Sequence, residues 1–209
     1  MVITISRQYG AGGSEVAAKV AEALGWSVVD NELIEKVAAR AGVSPAEVAD
    51  REERVPGFIE RLGRTLATAS PELFPPPGGT IEELTEEQLV RITEGVVAEL
   101  AAQGKVVMVG RAAPAVLGDE RALHVKLIAP LLFRVQRTVD RLGITAERAR
   151  KIVDDMDGRR LRYHREYYDR DWADPLNYHM TLNTGRIGMS GAVGVIVARA
   201  RAAWGEGDG

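Results

Sequence analysis

Val2-Ile3-Thr4-Ile5-Ser6-Arg7-Gln8-Tyr9-Gly10-Ala11-Gly12-Gly13-Ser14 is the stretch on which the reading of this chain turns. Its first five residues are short and mostly β-branched, the composition of a strand. From Ser14 to Leu24 the apolar residues Val16, Ala17, Val20, Ala21 and Leu24 fall on one face of a helix, and Gly25 supplies its stop. Between strand and helix, Gly10, Gly12 and Gly13 let backbone N–H groups converge with no Cβ in the way. The helix adds the unpaired N–H groups and positive dipole end of its first turn. Strand, glycine turn and helix in that order predict a phosphate cradle; the alternative is a tight turn that holds no ligand.

Outward from this stretch the chain alternates strands and helices. Trp26 to Asp30 reads as a second strand ending in an acid, and Glu32 to Ala41 as a helix. Ser44-Pro45-Ala46-Glu47 is a capping box with proline at the first helical position. From Pro56 to Thr80 the pattern decays into Ser70-Pro71 and Pro75-Pro76-Pro77-Gly78-Gly79, which suits a proline-rich loop or a plain surface linker. A helix is expected from Thr85 to Ala102, and Lys105 to Val109 is apolar enough for a strand buried on both faces, followed at once by Gly110-Arg111. His124 to Ala129 is a further strand, and Pro130 opens a helix carrying Arg134 and Arg137. A charged helix covers Thr145 to Tyr168, Tyr178 to Thr184 is the last strand, and Ser190 to Trp204 the closing helix. The stripe Val193, Val195, Ile196 and Val197 is expected in the core. The pattern predicts a parallel sheet with helices on both faces, whose ligands sit at the carboxyl ends of the strands. Gly10 to Ser14, Asp30, Gly110-Arg111 and Asn183-Thr184 all lie there.

The totals narrow the partners. The 209 residues suit one domain over 1–209, with a helical, proline-rich insertion over about 44–100 and a lid segment over about 145–175. A formal net charge of -3 gives no overall field to recruit nucleic acid or an anionic membrane. Arginines nevertheless crowd Arg134 to Arg170, where a polyanion would be sought. The absence of cysteine excludes disulfides, thiol catalysis and thiolate metal sites. By spacing, His124, His164 and His179 are too scattered for a zinc site. No leader and no apolar run near ~18 residues are visible, so a cytoplasmic protein without membrane partners is expected. Oligomeric state stays open.

The phosphate-loop pattern is G-x-x-x-x-G-K-[ST]. With Gly12 and Ser14 in register, Arg7 stands where the first glycine belongs and Gly13 where the lysine belongs. Ser14 keeps the hydroxyl expected on Mg²⁺. Phosphoryl transfer needs positive charge on the transferring group, so Arg7, at the mouth of the loop, is the expected substitute; Lys19, more than a turn down the helix, is a poorer one.

With these residues in hand, the chain resembles the cytidylate-kinase-like proteins, within the nucleoside monophosphate kinase group. The likeness runs from Ile3 to Ser14 through Asp30 with Glu32-Leu33-Ile34, Val109-Gly110-Arg111 and Ala129-Pro130 with Arg134. It continues through Asp157-x-x-Arg160, Tyr163, Tyr167-Tyr168, Trp172-x-Asp174-Pro175, Tyr178 and Asn183-Thr184. The resemblance implies a three-layer α/β P-loop NTPase-type fold, with an acceptor-binding insertion and a lid helix. It implies ATP with Mg²⁺ as phosphoryl donor and a small acceptor. Gly10, Ala11, Gly12, Gly13 and Ser14 then bind phosphate and Ser14 the metal. Arg7, Arg111 and Arg160 carry catalysis, and Asp30, Arg111 and Arg134 bind the acceptor. Arg162 and Arg165 are further lid candidates, although a charge-rich helix is more often a solvated face. Tyr163, Tyr167, Tyr168 and Trp172 read as packing rather than base stacking. Cytidylate kinases carry an aspartate after the Gly-Arg pair, and this chain has Ala112. The missing lysine leaves a second reading: a nucleotide-binding regulatory or sensor protein without turnover.

Overall fold

β1, Val2–Arg7, runs through the centre of a five-stranded sheet and delivers the chain straight into the glycine turn. A computed structural model describes residues 1–30, 86–110, 112–119 and 122–205. After β1 come α1 (Gly13–Leu24), β2 (Ser27–Asp30), α2 (Glu86–Gln103), β3 (Val106–Val109) and α3 (Ala113–Leu117). Then follow β4 (Leu123–Ile128), α4 (Leu131–Leu142), α5 (Ala146–Tyr168), β5 (Met180–Asn183) and α6 (Thr184–Trp204). The strand order is β2-β3-β1-β4-β5, and the pairs β1–β3, β1–β4 and β4–β5 are parallel.

The chain forms two compact units, Met1–Val29 with Gln103–Gly209, and Asp30–Ala102. Of the second, Asp30 and nearly all of α2 are described. The helix expected over Glu32 to Ala41, the capping box at Ser44, the proline-rich stretch and most of the insertion lie outside the described residues.

Local chemistry accounts for the element ends. Gly25 closes α1 in the left-handed conformation, with its N–H donating to Glu22 O. Gly143 ends α4 in the same way. Thr145 accepts from the Arg148 N–H at the start of α5. Pro130 lacks an N–H and stands just outside α4.

The alternation of β1 divides the two faces of the sheet. Ile3 and Ile5 point to one side, where Val107, Val109, Leu123, Val125 and Leu127 meet Val16, Ala17 and Val20 of α1 and Ala192 and Ile196 of α6. That dry core sets the register, since a slip of one residue would turn Thr4 and Ser6 into it. A second cluster joins α4 to α5 through Val135, Ala149 and Val153, and Tyr9 of the glycine turn sits within it.

Two expectations about α6 need correction. It begins at Thr184 rather than Ser190, and Gly188 (φ 71, ψ 164) breaks its first turn from the rest. Val195 is not core but 43% exposed. Three consecutive helical residues sweep about 200°, so Val195, Ile196 and Val197 cannot all face one side. No helix among the described residues is long and apolar enough to cross a membrane.

Candidate functional site

The glycine turn owes its shape to two different constraints. Gly10 (φ 80) and Gly12 (φ 83) are left-handed, so any Cβ there is strained. A Cβ on Gly10 would also come within 2.7 Å of Arg134 O, and one on Gly12 within 2.8 Å of the Met189 thioether. Gly13 is different: it is the first residue of α1 and has no left-handed φ. What a Cβ there would meet is Arg7, with Cγ at 2.6 Å, Cβ at 3.1 Å and Cδ at 3.2 Å. Gly13 makes room for the stem of Arg7.

The turn is held at each end. Gln8 donates its N–H to Leu127 O (2.9 Å), and its Oε1 accepts the Ala129 N–H (3.1 Å), continuing the β1–β4 ladder past the sheet. Ala11 O accepts from Thr184 Oγ1 (2.8 Å), tying the turn to the start of α6. Gly12, the N-cap of α1, has no side chain to satisfy the first N–H groups of the helix.

Beside these groups lie buried polar atoms without partners. Arg7 is only 5% exposed, and its Nε has no hydrogen-bond acceptor. Ser14 Oγ and Asn183 Oδ1 are also buried and unpaired. A buried donor or acceptor left unpaired costs about 1–3 kcal/mol, more when charged. Arg7 Nε and Ser14 Oγ are two such groups on residues that flank the glycine turn.

Behind the turn, α4 and α5 supply a second set of ties. The carboxylate of Asp157 accepts the Tyr9 N–H at 2.8 Å, Arg134 NH1 at 2.6 Å and Arg160 NH1 at 3.3 Å. Arg134, a buried residue, also donates through Nε to Ala129 O (3.0 Å) and through NH1 to Tyr9 O (3.3 Å). Arg160 donates to Arg7 O (3.3 Å), and its guanidinium lies 5.8 Å from the Tyr9 ring; Arg141 stands over the same ring and donates to Tyr9 OH. The structure thus gathers Arg7, Gly10 to Ser14, Arg134 and Arg160 around one turn. It gives Arg134 a use the sequence did not suggest, since its Nε and NH1 bind Ala129 O, Tyr9 O and Asp157. Asp157 was legible only as part of a motif, because its partner Tyr9 lies 148 residues away in the chain.

The other face of β1 is polar. Ser6 Oγ accepts from Trp172 Nε1 (2.8 Å) and lies 3.3 Å from the Tyr178 hydroxyl, whose own proton goes to Trp172 O. Lys126, on β4 opposite Ser6, donates to Trp172 O, and its Nζ stands 3.9 Å from the Trp172 ring centre and 4.8 Å from that of Tyr178. Burial lowers the Lys126 amine to about 8, against the opposing pull of Asp157 and Asp171. Burial, helped by Lys126 and Arg170, lowers His164 to about 4. The spacing of the histidines kept them apart in the sequence, yet His124 and His179 stack with ring centres 5.2 Å apart, and Asp119 lies beside them. Both ring nitrogens of His124 are engaged, with Thr4 Oγ1 at 2.7 Å and Gly118 O at 3.0 Å, so it reads as a satisfied core residue.

The remaining expected residues lie elsewhere. Asp30 is the last residue of the edge strand β2. Arg111 lies outside the described residues; on either side of it Gly110 (φ 83) and Ala112 (φ 48) are left-handed. Arg162 and Arg165 are exposed on α5, while Arg170 donates to Pro114 O (3.1 Å). Tyr163 packs edgewise or tilted against His164, Tyr167 and Tyr168, and Trp172 is buried.

A central strand that runs through a glycine turn into the first helix, in a sheet ordered β2-β3-β1-β4-β5, defines the α/β fold of the P-loop kinases. The chain belongs to the cytidylate kinase-like family, whose model matches residues 2–186. It is similar to a cytidylate kinase of Natronomonas pharaonis, with 26% identity over 200 residues, covering 94% of this chain and 87% of the relative. Among solved structures, an uncharacterized protein from Eubacterium ventriosum superposes with a TM-score of 0.66 at 19% identity, covering 95% of this chain and 97% of the other. A shikimate kinase from Acinetobacter baumannii, in complex with shikimate, superposes with a TM-score of 0.53 at 16% identity, covering 97% and 94%. Membership of a kinase family supports a phosphotransferase that uses a nucleotide.

Proposed function

We propose that this protein transfers the γ-phosphoryl group of ATP to a small phosphorylated acceptor of the nucleoside monophosphate class. The observation that carries the reading is the pair of unpartnered buried groups, Arg7 Nε and Ser14 Oγ, beside the glycine turn. N–H groups of the turn and of the first turn of α1 receive the phosphates. Arg7 contributes a planar guanidinium suited to phosphate oxygens. The orphaned Ser14 hydroxyl fits a ligand of Mg²⁺, which when bound neutralises phosphate charge. Transfer breaks the bond from the γ-phosphorus to the β–γ bridging oxygen and forms one to an acceptor oxygen. Arg160 stands behind the turn to oppose the charge that spreads over the phosphoryl oxygens, and Arg111 is assigned to the acceptor phosphate. A phosphate acceptor is already anionic and needs no general base; for an alcohol acceptor, Asp30 takes that role. Arg134, expected as an acceptor ligand, is assigned a positioning role here, supported by its bonds to Ala129 O, Tyr9 O and Asp157.

Incubation with ATP, Mg²⁺ and a panel of nucleoside monophosphates tests the reading. ADP released with one acceptor, and not with water alone, is the expected result. Gly13 in the lysine position favours a second reading, a nucleotide sensor. Tight ATP binding without turnover across the panel would establish that instead.

A further inference from the structure

Of the three glycines in the turn, Gly13 is the one whose backbone does not demand glycine. Its φ lies outside the left-handed region, and it is the first residue of a helix, where alanine is ordinarily better tolerated. The obstacle to a side chain there is Arg7: the three heavy atoms nearest to an added Cβ are Cγ, Cβ and Cδ of that one residue. Of these Cβ is fixed by the strand, and Cγ and Cδ leave only if the buried side chain changes rotamer. The guanidinium beyond them is buried, and no carboxylate pairs with it among the described residues.

Set against G-x-x-x-x-G-K-[ST], the two departures are complementary: position 7 holds a cation where the pattern has glycine, and position 13 holds glycine where the pattern has a cation. We infer that Arg7 and Gly13 form one reciprocal device, in which the phosphate-neutralising charge is delivered from the end of β1 instead of from α1. The empty Cβ position of Gly13 is the channel its stem occupies. This deepens the kinase reading and rests on it for the identity of the anion, but the coupling of the two positions stands apart from turnover. Each half requires the other. A lysine at position 13 collides with the Arg7 stem and brings two cations together, whereas glycine at position 7 frees the channel and leaves the phosphates without their charge. Making both changes at once, in R7G/G13K, restores the full pattern in register with Gly12 and Ser14.

The unmodified protein and the variants R7G, R7M, G13K and R7G/G13K are compared by calorimetric binding of ADP with Mg²⁺. Losing one charge-assisted phosphate contact is expected to weaken binding about tenfold or more in R7G and R7M. G13K is expected to weaken it also, and R7G/G13K to return to within about threefold of the unmodified protein. Melting without nucleotide gives the steric half separately. Gly13→Ala should lower the melting temperature in the unmodified protein and in R7M, which keeps the stem, but not in R7G.

A double variant that binds no better than the weaker single one overturns the inference. So does R7G binding with unchanged affinity, or an equal melting cost of Gly13→Ala in all backgrounds. ADP binding with the expected pattern but no phosphoryl transfer to any acceptor sinks the kinase reading and leaves the exchange standing. A protein that binds no ADP overturns both.

Discussion

At the scale of single residues, a buried group without a partner is informative because the empty fold bears its cost. Ser14→Ala removes a hydroxyl that nothing satisfies, so the free protein is expected to keep its melting temperature or gain a degree or two. Binding of ADP with Mg²⁺ should fall about tenfold, the loss of one good polar contact. A drop in melting temperature with unchanged binding would instead show that Ser14 serves the fold. His164 yields to another measurement. Its folded pKa is lowered from 6.5 to about 4, so the unfolded chain binds the proton more readily between those values. Stability present above pH 6.5 is therefore lost as pH falls toward 4, by about 3 kcal/mol at the limit. His124, lowered likewise by burial, acts in the same direction. Urea unfolding at pH 7 and pH 5 should show the loss, and His164→Gln should make it shallower. An unchanged slope in that variant would count against the assignment.

Among elements, α5 carries long-range ties to the glycine turn. The sequence presents it as an arginine-rich lid; in the fold, Ala149 and Val153 face α4, and Asp157 reaches the backbone of the glycine turn. Its middle turns are thus anchored, and the exposed Arg162 and Arg165 lie beyond the anchor. Asp157→Asn keeps the shape but weakens the hold on Arg134 and Arg160, at roughly 2–4 kcal/mol, because it leaves a buried arginine less well paired. Denaturant titration reads that cost. Hydrogen exchange at the Tyr9 amide, whose acceptor is Asp157 Oδ1, should quicken relative to amides of α1. No change at Tyr9 would sink the anchoring role. The elements themselves were largely legible, because their ends are written in single residues: Gly25, Pro130 and Thr145 stop or start helices where the pattern says. What the sequence hid were contacts. Nothing in the local pattern joins Arg7 to Gly13 six positions later, Arg134 to Asp157, or His124 to His179. Such meetings depend on which way a strand or helix faces once packed, and α6 shows how an apolar run misleads when Val195 turns outward.

For the molecule as a whole, the polar face of the sheet adds an alkaline limb to the acid one. Lys126, lowered from 10.5 to about 8, is bound less readily by protons in the fold than in the unfolded chain, so stability rises with pH between those values. Tyr178, raised by burial, opposes this above its ordinary value of 10.0. The net gain is expected between about pH 8 and pH 10. Lys126→Met removes the buried charge, and Trp172 O keeps its bond from Tyr178 OH (3.0 Å). The variant should unfold at least as late as the unmodified protein at pH 7 and lose the alkaline rise. Melting curves across pH 7 to 10 decide it; an unaltered rise in the variant would place its origin in another group.

The supports of the glycine turn come from far along the chain: Leu127 and Ala129, then Arg134, Asp157, Arg160 and Thr184. All of these supports follow the turn in the chain, so during synthesis it cannot hold its shape until they have been made. Long-range parallel pairing is slow to form. A nascent or refolding chain is therefore blind to its ligand until a late stage. Nucleotide capture, followed in time, becomes a clock for completed assembly rather than for early collapse.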